Sequence, residues 1–428
     1  MLDLNEQDEI IALIKREVVP AIGCTEPVAV ALCVARATEL LGALPGKIEV
    51  ALSANMLKNA MGVGIPGTGM IGLPIAIALG AICGRSEYGL EVLRDVNSDA
   101  VERGKRYVDE NRISISLKKD ISEKLYIEVV CSAEGHTSRA VIAGGHTRFV
   151  RTELDGEVTF DAGSDAGGEG GEADDAHLTL AKVYEFATTT PVEKLRFILE
   201  AARLNKAAAE ASMKGSYGHS LGRIISGENG RRIIGDSIFA HLVAYTSGAC
   251  DVRMGGAMVP VMSNSGSGNQ GISATVPVVV YGEARGKSEE ELIRALALSH
   301  LTVIYIKQKL GRLSALCGCV VAATGSSCGL TYLMGGNYRQ VTYAVKNMVA
   351  NLTGMICDGA KPSCALKVTS GVSTAVYSAL MAIEDVTVSS LEGIVDDDVE
   401  RSIANLTCIG SQAMQETDRE ILRIMLSK

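Results

Sequence analysis

The 428-residue sequence predicts an α+β protein with a large domain of buried helices and a smaller α/β domain with a mostly antiparallel sheet. Two patterns support this fold class. Segments with β character are concentrated between residues 45 and 160. Beyond residue 176, apolar side chains recur at helical spacing, and several of these helices are apolar or small all round, which is typical of helices inside a bundle. A chain of this length can bury more than one core.

The N-terminal segment, residues 1–44, is predicted to form two helices around a loop. Residues 5–18 carry apolar side chains at helical spacing, and a proline follows them. The loop PAIGCTEP at 20–27 comes next, and a small, apolar helix is predicted over 29–41, with Thr25 as its N-cap. We expect this segment to pack on the C-terminal helical domain.

Residues 45–160 are predicted to form the α+β domain. Its expected elements are a strand at 47–52, a buried helix at 69–82, an amphipathic helix at 87–110, and strands at 113–117, 125–132, 139–143 and onward to residue 160. Residues 161–176 are acidic and glycine-rich without apolar periodicity, and they predict a solvated linker. Residues 177–428 then form the helical domain, with helices predicted at 178–188, 192–213, 233–246, 288–310, 316–333, 338–355, 365–383 and 396–426.

Composition excludes several classes of function. Hydrophobic residues make up 47% and charged residues 21%, so the chain is expected to be globular. The net charge of −9 argues against nucleic acid as a partner. The N-terminus is acidic, unlike a signal peptide, and the apolar run at 71–84 is too short to span a bilayer. Eleven cysteines without a secretory signal predict a cytoplasmic protein whose thiols serve metals or catalysis.

Cys24 is the first candidate for chemistry. It lies between turn residues and the start of a helix, where the helix dipole and free N–H groups favour a thiolate. A lone cysteine is usually inert, but this setting favours a functional thiol.

A second group of cysteines lies near the C-terminus. Cys357 and Cys364 flank a loop that contains glycine and proline, and Cys317 lies 40 residues upstream of this pair. Thiolates select zinc or iron–sulfur clusters, and a four-cysteine zinc site usually has two close CxxC pairs. The spacing therefore favours an iron–sulfur cluster. Cys319 and Cys328 are alternatives, although two cysteines separated by one residue are not expected to point the same way from one helix.

Polar residues in glycine-rich surroundings are candidates for substrate contacts. A loop at 262–271 offers free N–H groups and amide side chains. Arg253 could hold a carboxylate through two hydrogen bonds, or could instead pair with Asp251. His146, after two glycines, is a candidate catalytic residue or a structural histidine. The substrate-binding candidates are Asn55, Lys58, Asn59, Arg253, Ser265, Asn269 and Gln270.

Taken together, these motifs resemble the L-cysteine desulfidase family, which shares the α-chain module of the iron–sulfur L-serine dehydratases. The stretches that carry the resemblance are PAIGCTEP at 20–27, NMLKNAMGVGIPGTGM at 55–70, GGHT at 144–147, RMGGA at 253–257, SNSGSGNQGI at 263–272, RLSALC at 312–317 and MICDGAKPSCALKV at 355–368. The resemblance implies a [4Fe–4S]-dependent lyase that works without PLP and converts L-cysteine to hydrogen sulfide, ammonia and pyruvate.

The resemblance also implies roles for individual residues. The cluster ligands fall on Cys317, Cys357 and Cys364, with one iron left open for the substrate. Cys24 falls on an essential cysteine that is either a fourth ligand or the catalytic base, and Cys319 leaves the ligand choice near Cys317 open. If the implication holds, Cys317 should lie within about 10 Å of the loop that carries the other two ligands.

The sequence leaves alternatives open, one within the same chemistry and one of a different class. The nearest is an iron–sulfur L-serine dehydratase, in which hydroxide leaves instead of sulfide. A more distant one is a non-catalytic protein that senses redox state through a metal or binds amino acids. A small amino acid, L-cysteine or L-serine, is the expected partner, with no nucleic acid or membrane, and the abundant apolar helices suggest a homodimer.

Overall fold

A computed structural model describes residues 2–119, 121, 123–162, 176–311 and 313–427. Its helices are α1 (Leu4–Glu17), α2 (Thr25–Leu41), α3 (Ala54–Ala60), α4 (Leu73–Cys83), α5 (Ser98–Asp109), α6 (Leu180–Thr189), α7 (Val192–Leu195), α8 (Leu199–Lys214), α9 (Leu221–Ser226), α10 (Glu228–Ile234), α11 (Ile238–Met254), α12 (Gly268–Ala284), α13 (Glu289–Leu310), α14 (Gly318–Leu333), α15 (Tyr338–Leu352), α16 (Cys364–Ile383), α17 (Val399–Cys408) and α18 (Gln415–Leu426). Its strands are β1 (Pro20–Ile22), β2 (Lys47–Leu52), β3 (Ile113–Leu117), β4 (Tyr126–Ala133), β5 (His136–Ala143), β6 (Phe149–Leu154), β7 (Glu157–Asp161) and β8 (Pro260–Met262).

The larger sheet has the strand order β3-β2-β4-β5-β6-β7. Only the β2–β3 pair is parallel among these described strands; the other pairs are antiparallel. Residues of β2 alternate between buried and more exposed, and Ile48, Val50 and Leu52 face a core that α2 and α4 complete. Such alternation is typical of a sheet with one covered face. The predicted α+β class with a mostly antiparallel sheet is therefore confirmed.

The second core lies among the helices of the C-terminal part, where α13 and α14 are buried along most of their length. Glycines allow these two helices to approach closely. A Cβ at Gly325 would lie 2.4 Å from the Ser299 carbonyl oxygen, and one at Gly329 would lie 3.0 Å from the Ala295 oxygen. Small residues on a helix let neighbouring backbones approach, so the many glycines of this sequence serve the packing of the bundle.

The N-terminal segment contacts both cores. Ile10 and Ile14 of α1 belong to the helical core, whereas α2 lies in the core of the sheet domain. Between them, β1 pairs with β8 in a short antiparallel ribbon, with Ala21 opposite Val261. This pairing places the Cys24 loop beside the loop that precedes α12. The boundaries proposed at 44, 160 and 176 stay predictions, and most of the proposed linker, residues 163–175, lies outside the described residues.

Some predicted elements differ from the structure. The helix predicted at 87–110 is a 3-10 segment, Ser86–Glu91, followed by turns and by α5. Gly89 has a φ of +53° and kinks the backbone inside the 3-10 segment. The Asn97 side chain caps α5 by accepting a hydrogen bond from the Ala100 N–H. The helix predicted at 396–426 is divided in a similar way by a π-helical segment, Ile409–Ala413.

One helix in the described part of the chain, α16, is long and apolar enough to cross a membrane by length and composition alone. Half of its apolar window is buried inside the fold. Buried helices of a bundle pass the same test, so this finding is weak evidence for a membrane span.

Candidate iron–sulfur and substrate site

Thiols and polar side chains from distant segments meet around a cavity of about 80 Å³. The residues that line it are Cys24, Glu26, Asn59, Arg253, Ser267, Asn269, Gln270, Cys317, Gly318, Cys319, Cys357, Gly359, Ala360 and Cys364. Most of the predicted site residues are therefore brought together, although they are separated by up to about 340 positions in the chain.

Backbone hydrogen bonds join Cys317 directly to the loop that carries Cys357. The N–H of Cys317 donates to the Met355 oxygen at 2.9 Å, and the N–H of Cys357 donates to the Ala315 oxygen at 2.6 Å. Leu316 and Ile356 form an antiparallel bridge between these bonds. Residues opposite each other in such a bridge have Cα atoms roughly 5 Å apart. The expected closeness of Cys317 to this loop is observed.

The Cys357–Cys364 loop is held against α3 by a tight turn. Gly359 has a φ of +91°, and a Cβ at this position would lie 2.3 Å from the Lys58 carbonyl oxygen. The Lys58 ammonium donates to the Cys357 oxygen at 3.2 Å. Glycine is required at position 359 both for its left-handed backbone and for this close approach.

Two predicted substrate residues on α3 contact the C-terminal helix. The side chains of Asn55 and Lys58 both donate hydrogen bonds to the carboxylate of Asp418 on α18. The ion pair is buried on the lysine side, where the side chain is 2% exposed. Neither residue belongs to the set that lines the cavity. Their contacts indicate that they anchor α18 and the Cys357–Cys364 loop, which is called the thiol loop below.

Burial and nearby charges act on the thiols in opposite directions. Burial raises the pKa of Cys357, and the Lys58 and Lys367 ammonium groups partly offset this rise. Burial also raises the pKa of Cys364, to about 11. The pKa of Cys317 is lowered to about 7, mainly because the Cys319 thiol hydrogen-bonds to it. The site therefore favours one thiolate among several buried thiols.

The expectation that Cys317 and Cys319 cannot face the same way is wrong. Cys317 is the N-cap of α14, with extended backbone angles (φ −65°, ψ 128°), and Cys319 lies within its first turn. Because only one of the two is helical, both thiols line the cavity and interact with each other. Sequence spacing alone does not predict this arrangement, since it depends on where the helix begins.

Cys24 lies two residues after the end of β1 and is the N-cap of α2, so the predicted N-cap, Thr25, is instead the first helical residue. The Cys24 thiol donates to Oε2 of Glu26 at 2.9 Å. Burial and the Glu26 charge raise the pKa of Cys24 well above its usual value, with Arg253 partly opposing them. The expectation that this helix N-terminus favours a thiolate at Cys24 is therefore wrong, because burial and the Glu26 carboxylate favour the thiol.

Glu26 is a site residue that sequence reasoning missed. Its side chain is buried, and the amide of Asn59 donates to its Oε1 at 3.3 Å. An acidic residue in the first turn of a helix is common because it complements the helix dipole. Its presence in the sequence therefore does not indicate a functional role. The signal that could have revealed it is its position within the PAIGCTEP loop, two residues after Cys24.

Arg253 lies at the end of α11, is 2% exposed and lines the cavity. Its Nε donates to the Gly23 oxygen at 3.0 Å. Asp251 does not supply the alternative ion pair; its carboxylate accepts backbone hydrogen bonds from Leu221 at 2.6 Å and from two neighbouring residues. Gly268 leaves room for the Arg253 side chain, since a Cβ at position 268 would lie 2.2 Å from the arginine Nε.

The remaining predicted residues have different positions. Asn269 and Gln270, expected in a loop, lie in the first turn of α12 and line the cavity. Ser265 has a φ of 47°, and its hydroxyl donates to Oδ1 of Asn264 at 2.8 Å, so it shapes the loop before α12. His146 is buried in the turn between β5 and β6, outside the set of lining residues.

The donor set fits an iron–sulfur cluster better than a single metal ion. Among the described residues, no three His, Cys, Asp or Glu side chains are close enough to hold one ion. Five cysteines nevertheless line one cavity. In a cluster each iron takes its own thiolate, so the sulfurs need not converge on one point.

Comparisons with known proteins agree with the motifs. The family model described as the serine dehydratase alpha chain matches residues 87–423. A UPF0597 protein of Bacteroides fragilis is 68% identical over 99% of both chains, and one of Porphyromonas gingivalis is 55% identical over 100% of both. A UPF0597 protein of Oleidesulfovibrio alaskensis is 48% identical over 99% of both chains. The chain therefore belongs to the serine dehydratase alpha chain family, and this membership supports a lyase of the serine dehydratase type.

Proposed function

We propose that this protein is a [4Fe–4S]-dependent, PLP-independent lyase that converts L-cysteine to hydrogen sulfide, ammonia and pyruvate. The observation that carries the proposal is the single small cavity where thiols from distant segments meet an arginine and several amides. Family membership supports the same class of elimination chemistry.

In this proposal Cys317, Cys357 and Cys364 would hold the cluster, and Cys24 would be either a fourth ligand at rest or the base. When bound with one iron free of a protein ligand, the cluster supplies a Lewis acid for the departing sulfur. Lys58 supports the ligand loop through its hydrogen bond to the Cys357 oxygen. Its positive charge also counters the effect of burial on the Cys357 pKa, which favours the thiolate form that binds iron.

The remaining residues of the cavity would bind the amino acid and move its proton. Arg253 can hold a carboxylate through two parallel hydrogen bonds, since its guanidinium has several donors in one plane. Cys24 would act as the base after its thiol proton has passed to solvent, and its thiolate would then remove the Cα proton. In the thiol form, the hydrogen bond to Glu26 positions the Cys24 sulfur beside the cavity. Loss of a general base typically lowers the rate about 10²–10⁴-fold. The aminoacrylate product hydrolyses to pyruvate and ammonia without further help from the protein.

L-Serine dehydration is the second candidate function, because the family description names serine dehydratase. The same residues would act, with hydroxide as the leaving group. Anaerobic assays that measure sulfide and pyruvate from L-cysteine, and pyruvate from L-serine, distinguish the two. We expect the ratio of kcat/KM values to favour L-cysteine. A ratio that favours L-serine would overturn the desulfidase assignment and identify the protein as an L-serine dehydratase.

The ligand assignment is tested by removing one thiol. After anaerobic reconstitution, Cys364→Ser should lose cluster iron, acid-labile sulfide and activity. Cys328→Ser is the matched control, because Cys328 is a fully buried cysteine of α14 that does not line the cavity. Stable iron in both variants would overturn the assignment. Stable iron without turnover in the wild type would instead identify a non-catalytic metal protein.

A further inference from the structure

The cavity contains unsatisfied hydrogen-bond acceptors. Oδ1 of Asn59, Oδ1 of Asn269 and Oε1 of Gln270 are buried without a hydrogen-bond partner in the described structure. All three side chains line the cavity and are more than nine-tenths buried. A buried polar atom without a partner is costly, so several of them around one cavity point to a ligand that donates hydrogen bonds.

The neighbours of two of these amides fix which atom is the acceptor. Asn59 donates through Nδ2 to Oε1 of Glu26 at 3.3 Å, and Gln270 donates through Nε2 to the Asn264 oxygen at 3.4 Å. The opposite orientation of either amide would place two acceptors against each other. The unsatisfied atoms of these two side chains are therefore oxygens, which repel a carboxylate and attract a donor.

Glu26 supplies the charge that completes this group of acceptors. It is the only acidic side chain among the described residues that line the cavity, and Arg253 is the only basic one. A carboxylate has about four acceptor positions. The Cys24 thiol and the Thr25 hydroxyl contact Oε2, at 2.9 and 3.0 Å, and the Asn59 amide contacts Oε1. Oε1 therefore retains capacity for another donor.

We propose that Glu26, with the amide oxygens of Asn59, Asn269 and Gln270, binds the α-ammonium group of the substrate and makes the site selective for α-amino acids. An ammonium group carries three donors and a positive charge, which matches several neutral oxygens and one carboxylate. Arg253 then takes the α-carboxylate of the same zwitterion. This inference depends on the proposed function only in placing the substrate in this cavity.

The test uses ligands that cannot react. L-2-Aminobutyrate has a methyl group where L-cysteine has its thiol, and butyrate in addition lacks the ammonium group. Each is titrated calorimetrically, under anaerobic conditions, into the reconstituted full chain. The wild type should bind L-2-aminobutyrate at least about tenfold more tightly than butyrate, as expected for a charge-assisted hydrogen bond.

Two variants separate the two halves of the site. Glu26→Gln should raise the Kd for L-2-aminobutyrate by about tenfold or more, and should change the Kd for butyrate by no more than about twofold. Arg253→Lys is the matched control and should weaken the binding of both ligands, since both carry the carboxylate. Equal effects of Glu26→Gln on the two ligands, or no effect on either, would overturn the inference. So would a wild type that binds butyrate as tightly as L-2-aminobutyrate, or binds neither.

A second substitution keeps the test decisive if Glu26→Gln does not fold. Asn269→Asp adds a negative charge beside the proposed ammonium position and should raise the preference for L-2-aminobutyrate over butyrate. A lowered preference would contradict the inference. Failure of the desulfidase proposal is recognised separately, by the absence of sulfide release, because the selectivity for the ammonium group requires no turnover.

Discussion

The buried ion pair between Lys58 and Asp418 offers a quantitative test of how the thiol loop is supported. The Lys58 side chain is 2% exposed, whereas that of Asp418 is 19% exposed. The substitution Asp418→Ala removes the carboxylate and leaves the ammonium buried, with the Cys357 carbonyl oxygen 3.2 Å away. It also removes the acceptor of the Asn55 amide. A buried charge without its counter-ion should destabilise the fold strongly.

The magnitude follows from the unequal exposure of the two partners. Removing one partner of a buried ion pair costs about 3–5 kcal/mol, and the partial exposure of Asp418 favours the lower end, about 3 kcal/mol. Lys58→Met should cost less, about 1–2 kcal/mol, because water can reach the carboxylate that remains. The two effects should not add. We expect the double variant to be at least about 1 kcal/mol more stable than the sum of the single effects predicts.

The assay is urea unfolding of the metal-free chain, with the free energy of unfolding compared between variants. Arg419→Ala is a control on the same helix, since Arg419 pairs with Glu416 where the two side chains are 74% and 81% exposed. Loss of such a surface pair should change stability by no more than about 0.5 kcal/mol. If Asp418→Ala costs no more than this control, or if the Lys58 and Asp418 effects add, the reasoning is refuted.

Two further predictions concern the substrate arginine and a buried histidine. Gly268→Ala should displace the Arg253 side chain and raise KM about tenfold or more, with little loss of stability. Gly354→Ala is the control and should leave KM unchanged, because nothing lies within 4 Å of the Cβ that it adds. Burial lowers the pKa of His300 to about 3, so the unfolded chain gains a proton below its pKa of 6.5 that the folded chain does not take up until about pH 3. Between pH 6.5 and 5 the wild type should therefore lose about 1.7 kcal/mol more stability in urea titrations than His300→Gln. Equal pH slopes in His300→Gln and the wild type would contradict this account.

Elements with a clear apolar period could be predicted from the sequence. The strands β2 and β3 begin and end at the predicted residues, 47–52 and 113–117. The helix predicted at 288–310 agrees with α13, which Ser288 caps through a hydrogen bond to the N–H of Glu291. In these segments local propensity, capping and burial all favour the same structure.

Elements that contain polar or glycine-rich stretches were harder to predict. Residues 268–284 form α12 although they include Pro277 and begin with a glycine-rich run, because the surrounding helices bury almost the whole segment. Similarly, α3 is only seven residues long, and its side chains are held by Asp418 and by the thiol loop rather than by an apolar period. Tertiary contacts override local propensity at both places.

The composition of the site could be predicted better than its geometry. The motifs identified the thiols, Arg253 and the amides of α12 that line the cavity. They did not reveal that Cys24 donates to Glu26, since a carboxylate in a first helical turn has an ordinary explanation. They also assigned Lys58 to the substrate, whereas its partner, Asp418, lies 360 residues away in the chain. Such a pairing has no local signal in the sequence.

The central claim is that thiols from Cys317, Cys357 and Cys364 hold one cluster that leaves an iron open to the substrate. Mössbauer spectra of the chain reconstituted with ⁵⁷Fe, recorded anaerobically with and without L-2-aminobutyrate and L-cysteine, test it most directly. The account predicts a [4Fe–4S] spectrum in which one iron differs from the others and shifts when L-cysteine is added. A spectrum with equivalent irons that L-cysteine does not change, or a chain that retains no iron, would contradict it.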